Sequence, residues 1–189
     1  MKTVVLAALA GGLVMFLTES VTHMMTPLGE AGIRNLPNED AVLPALRANV
    51  HEPGFYMFPG MDAQAKTPEG QKAWLQRYVA GPTGLLIYHP HGEQPMTPRM
   101  LGIELLTDIL AVLMAAWVAT HGATYWRRVA IVASFGLAAW FSIEVSYWDW
   151  YGFPAAYTLA QLVDQVASFA LAGLVVAKIV RPRAMAAAA

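Results

Sequence analysis

Two kinds of pattern alternate along the chain: long runs of apolar residues with almost no charge, and a polar, turn-rich middle. The runs fall at 1–23, 101–120, 129–147 and 154–180. Each is near the ~20 residues that carry a helix across ~30 Å of hydrocarbon. The predicted fold is therefore all-α membrane, a four-transmembrane-helix bundle. A small α+β extracytoplasmic cap at 24–100 lies between helices 1 and 2. A loop at 121–128, a turn at 148–153 and a tail at 181–189 complete the plan. The first run begins at Thr3 behind Lys2 and could serve as a signal peptide. It continues through Gly11, Gly12, Leu13, Val14, Met15, Phe16 and Leu17 with no good small-x-small cleavage site after it, so it is expected to be retained.

Positive charge in the short connections orients the spans. Arg127 and Arg128 separate spans two and three, and Lys178, Arg181 and Arg183 follow span four. Placing these on the cytoplasmic side of an inner membrane also places Lys2 there. Both termini are then cytoplasmic and 24–100 extracytoplasmic. Tyr147, Trp148, Trp150, Tyr151 and Phe153 form an outer aromatic belt, and Tyr125 and Trp126 an inner one.

The middle segment alternates structure signals with breakers. Thr67 as N-cap, Pro68, Glu69 and a Gly81-Pro82 stop predict a helix over 68–80 with Trp74, Leu75 and Tyr78 as its apolar stripe. Two β-like runs, 54–58 and 85–89, flank it and predict a two-stranded sheet leaning on the helix or the membrane surface. Asn38 is expected to cap a further helix reaching Asn49, kinked at Pro44.

Composition narrows the class. With 57% hydrophobic and 13% charged residues, the chain is too apolar for an ordinary soluble domain. The net charge of -1 and the absence of a basic run argue against nucleic acid. Zero cysteines exclude disulfides, thiolate metal sites and cysteine nucleophiles.

Against this apolar background the acids stand out. Glu19 with His23 and Glu104 with Asp108 are each four apart, on one helical face. With the spans alternating in direction, these residues, Glu144 and Asp164 fall in the outer half of the bundle. Asp164 lies deepest, roughly 15 Å in at 1.5 Å per residue. Tyr157, Gln161, Gln165 and Ser168 continue a polar stripe beside it. Ionisable groups at such depth mark a functional site by default. Two chemistries suit the set: ligation of a divalent metal by Glu19, His23, Glu104, Asp108, Glu144 and Asp164, or proton or cation passage. A plainer alternative is snorkelling, pairing with Arg34 or Arg99, or docking of the cap, which Asp164 is too deep to join. A second candidate is His89 and His91, which project to one side of an extended chain and with Glu93 or His51 suit zinc or copper. Their Pro and Gly neighbours equally make a turn. Ten methionines are read as gap fillers, and His121 as an interfacial cap.

No G-x-S-x-G, H-E-x-x-H, P-loop or dinucleotide fingerprint is present, so catalysis is not expected. Small-x-x-x-small spacings at Ala7/Gly11, Ala8/Gly12, Ala111/Ala115/Ala119 and Ala130/Ser134/Ala138 favour close helix approach. The expectation is a non-catalytic accessory or assembly subunit of a larger membrane complex, in contact with lipid and with other subunits or further copies of itself. The alternative is a cation- or proton-handling protein that uses the acidic cluster.

Overall fold

The computed structural model describes residues 1–61, 63 and 66–182. A proline-free run of Ala, Leu, Val and Gly forms α1 (Lys2–Met25), stopped by extended Thr26 and Pro27, with a 3-10 turn at Pro27–Glu30. After it come α2 (Glu39–Asn49), β1 (Gly54–Phe58), α3 (Pro68–Ala80), β2 (Gly84–Tyr88) and α4 (Pro98–Ala119). The chain then continues through α5 (Tyr125–Ala139), a π turn (Trp140–Glu144), α6 (Val145–Tyr151) and α7 (Ala155–Ile179). Two units result: Met1–Arg34 with the chain from Met96 on, and Asn35–Pro95.

Among the described residues, four helical stretches are long and apolar enough to cross a membrane: α1, α4, α5 through α6, and α7. At 24, 22, 27 and 25 residues they run roughly 33 to 40 Å. Their outward faces carry exposed Leu6, Leu9, Leu13 and Leu17 on α1, Leu106, Leu110 and Met114 on α4, and Leu159, Val163 and Leu171 on α7. Such surfaces suit lipid.

Helix α1 runs antiparallel to α4 and α7, and α5 antiparallel to α7, as close contacts show. A Cβ placed on Gly12 would lie 2.6 Å from Ile109 Cα, and one on Gly11 would lie 2.9 Å from Val112 and 3.0 Å from Val176. Further along, Thr22 of α1 reaches Asp164 of α7. Gly136 of α5 faces Gln165, and Gly173 faces Val129 and Val132. The half of the bundle toward Met1, Ala119, Tyr125 and Ile179 is dry: Ala7, Val112, Ala115, Ala116, Ala119, Val132, Ala172 and Val176 are fully buried. The small residues of α1 and α4 thus bring this chain's own helices together, whereas Ala130, Ser134 and Ala138 are exposed.

The third span differs from the single helix expected over 129–147. A π turn interrupts it, Trp140 Nε1 donates to Thr158 O at 2.7 Å, and Gly152 at φ 72 ends α6. Arg128 stands at the opposite end. Its guanidinium donates to Ala177 O at 3.1 and 3.3 Å and to Gly122 O at 3.1 Å, closing carbonyls at the α7 C-terminus. His121 ends α4 with Nδ1 3.1 Å from Val118 O. Arg183 lies outside the described residues.

In the second unit β1 and β2 pair antiparallel, Gly54 opposite Tyr88 and Phe58 opposite Gly84. Strand β2 begins one residue earlier than the sequence suggests. Helix α3 spans the expected residues, with Thr67 Oγ1 accepting from Gly70 N at 3.1 Å. Trp74 Nε1 donates to Pro59 O at 3.0 Å and ties α3 to the end of β1. The rest of the stripe, Leu75 and Tyr78, is exposed, so within this unit only Trp74 packs as predicted. Asn38 precedes α2 in the left-handed region and makes no side-chain cap. Its carbonyl alone accepts the first helical bonds, from Ala41 and Val42.

Candidate functional site

Axial position follows from residue count. Glu19 lies roughly 9 Å from the Met25 end of α1, Glu104 and Asp108 roughly 9 and 15 Å from Pro98, and Asp164 roughly 14 Å from Ala155. Because the helices alternate in direction, all of these fall in one half of the bundle. Rotation about each axis then decides which groups meet.

Glu19, Glu104 and Asp108 do meet. One carboxylate oxygen from each lies within 4.8 Å of the others. Asp108 is only 4% exposed, Glu19 is half-buried, and Glu104 is exposed and leaves the group open on its side. Asp164, also 4% exposed, lies within electrostatic range of Glu19 and Asp108. It accepts a hydrogen bond from Thr22 Oγ1. Thr22 went unnoticed in the sequence, although it follows Glu19 by three residues on the same face of α1.

The other candidates are arranged differently. His23 is exposed and its Nδ1 sits 3.0 Å from the backbone oxygen of Glu19, so its ring serves its own helix and stands outside the carboxylate trio. Glu144 is buried, with Gln165 Nε2 at 3.5 Å from its Oε1. The π turn places this carboxylate against α7. In the second unit, His89 Nδ1 is 3.8 Å from Glu93 Oε1, both side chains being largely exposed, and His91 does not join them in a group of three.

The acids of the bundle find no compensating charge among the described residues. Among the described residues, the His89–Glu93 contact is the only approach of a cationic side chain to a carboxylate within 4.0 Å. Arg34 and Arg99, the partners considered for the acids, make no ion pair. Hydrogen bonding is incomplete too: Asp108 Oδ2, Glu144 Oε2, Gln165 Oε1 and Ser168 Oγ are buried without a partner. Unpaired carboxylates inside an apolar bundle cost several kcal/mol each unless a cation or proton joins them. Chemically, the half of the bundle holding these groups is a place that attracts positive charge.

No protein-family model matches the chain, and no curated protein or solved structure is significantly similar to it.

Proposed function

We propose that this chain is a multi-pass membrane protein whose helix bundle takes up a cation, a proton or a metal ion, at Glu19, Glu104, Asp108 and Asp164. One observation carries the reading. Three carboxylates from two helices gather, with Asp164 of a third helix within electrostatic range, and no Lys, Arg or His lies within ion-pair distance among the described residues. Two unit charges about 5 Å apart repel by roughly 3 kcal/mol at an effective dielectric of 20, so the group demands positive charge from elsewhere.

The arrangement favours binding over conduction. Beyond Asp164 and Ser168 the bundle is closed by Ala115, Ala116, Ala172 and Val176, all fully buried, which offer a passing ion no oxygen. Positive residues at Lys2, Arg127, Lys178 and Arg181 support an inner-membrane topology with cytoplasmic termini. Residues 24–100 are then extracytoplasmic, and the carboxylates load from that side.

In proteoliposomes, a pH step or addition of divalent cation outside is expected to give an infrared difference spectrum in the carboxyl region. A dye trapped inside should report no flux. Asp164→Asn should remove most of the difference while the protein still inserts. A spectrum in that variant identical to the wild type would overturn the reading.

The accessory-subunit reading retains one supporting observation, a groove of about 720 Å³ on the outer surface of α5 and α7. Ala130, Ala133, Ser134, Ala167 and Ala170 line it beside the larger Leu137, Leu162, Val163 and Val166, and the small residues let a foreign helix come close. An Ala130→Leu, Ala167→Leu double variant is expected to lose whatever subunit or second copy accompanies the wild type in native mass spectrometry of gently extracted membranes. An unchanged assembly mass would remove this support.

A further inference from the structure

We propose that the cation is a hard divalent ion of the Mn²⁺, Mg²⁺ or Ca²⁺ class, held between Glu19, Glu104 and Asp108. This assignment rests on the cation-site reading and sharpens it. The spacing supplies the first argument. Oxygens bound to one such ion at 2.0–2.6 Å stand no more than about 4 to 5 Å apart, and the three ligand oxygens lie within 4.8 Å of one another. A proton shared between two carboxyl groups needs about 2.5–2.7 Å between oxygens. No hydrogen bond links these three carboxylates: the bonds formed at Glu19 and Glu104 go to their backbone oxygens.

A second, independent observation is Asp108 Oδ2. It is buried with no hydrogen-bond partner, on a side chain 4% exposed whose carboxylate belongs to the trio. Buried polar atoms without partners are rare and call for an unseen group. A metal ion held by the Asp108 carboxylate brings the positive charge that this unpartnered oxygen lacks.

The donors decide the ion's class. Every member of the trio offers oxygen, His23 is turned to its own helix, and the chain has no cysteine. Oxygen-only sets suit hard cations, whereas zinc and copper favour imidazole and sulfur. The exposed Glu104 side leaves room for water to complete the coordination shell.

Mn²⁺ is the probe for the test. Chelator-stripped full-length protein in nanodiscs is titrated with Mn²⁺, and free ion is read by its paramagnetic resonance signal. One ion per chain is expected to bind, with at least about tenfold weaker affinity in Glu104→Gln, since even outer-shell changes weaken metal sites by that much. Asp108→Asn should do the same. Glu104 is exposed, so its variant tests the assignment even if Asp108→Asn does not fold. His89→Ala/His91→Ala should bind as the wild type does. No Mn²⁺ uptake by the wild type, or unchanged affinity in Glu104→Gln, would overturn the metal assignment. If a carboxyl infrared response to pH persisted in that case, the cation-site reading would survive with protons as its cation. Loss of both responses would remove the two together.

Discussion

Gly12→Leu is expected to abolish assembly of the bundle. The Cβ alone would come within 2.6 Å of Ile109 Cα and 2.9 Å of Ile109 N. Those are backbone atoms of α4, which cannot swing aside as a side-chain tip does. Helices α1 and α4 would have to separate, opening the contacts around Ala7, Ala8, Met15 and Val112, all buried. Overpacking usually costs about 1–3 kcal/mol and more where backbone is in the way. In lipid, close packing is itself the main force between helices, so a loss of about 3 kcal/mol or more is expected. Thermal denaturation in mild detergent should show it as a large drop in melting temperature or as unfolded protein. Gly102→Leu is the control, because nothing lies within 4 Å of a Cβ at that position of α4. Equal stability of the two variants would mean that α1 and α4 do not cross at Gly12. Since Glu19 and Glu104 sit on the same interface, Mn²⁺ binding should disappear with the fold.

The effect of Glu19→Gln on stability should depend on the contents of the buffer. In chelator, at a pH high enough to ionise the group, the variant should melt above the wild type, because the amide keeps the shape of the carboxylate and removes one negative charge from the trio. Relief of about 1–3 kcal/mol follows from the Coulomb estimate. With Mn²⁺ at a hundred times its dissociation constant, the wild type should gain about 2.7 kcal/mol by linkage and the variant, which has lost a ligand, clearly less, so the advantage of the variant should shrink. At about 2–4 °C per kcal/mol for a chain of this size, both differences are measurable. A variant less stable than the wild type in chelator would show that Glu19 is held by favourable contacts rather than by repulsion awaiting a cation.

Local signals read from the sequence correspond closely to elements whose ends are set by a few residues. Thr67, Pro68 and Gly81 frame α3 because a side-chain acceptor, a missing N–H and a residue at φ 70 act within one turn of themselves. Where the outcome depends on distant contacts, local signals do not reach it. Leu75 and Tyr78 form an apolar stripe on paper and remain exposed in their unit. The π turn at 140–144 carries no composition signal of its own, and it appears where α5 packs against Gln165 and Thr158.

The candidate site divides along the same line. By itself the sequence determined where along its helix each acid lies, since axial position accumulates at a fixed rise per residue. It therefore placed Glu19, Glu104, Asp108, Glu144 and Asp164 in one half of the bundle. Only the tertiary structure decided which of them converge, because the rotation of a helix about its axis depends on which neighbour its glycine and alanine face accepts. Packing Gly12 on Ile109 turns Glu19 toward Glu104 and Asp108 and leaves His23 outside. The π turn, by shifting the helical register, brings Glu144 to Gln165.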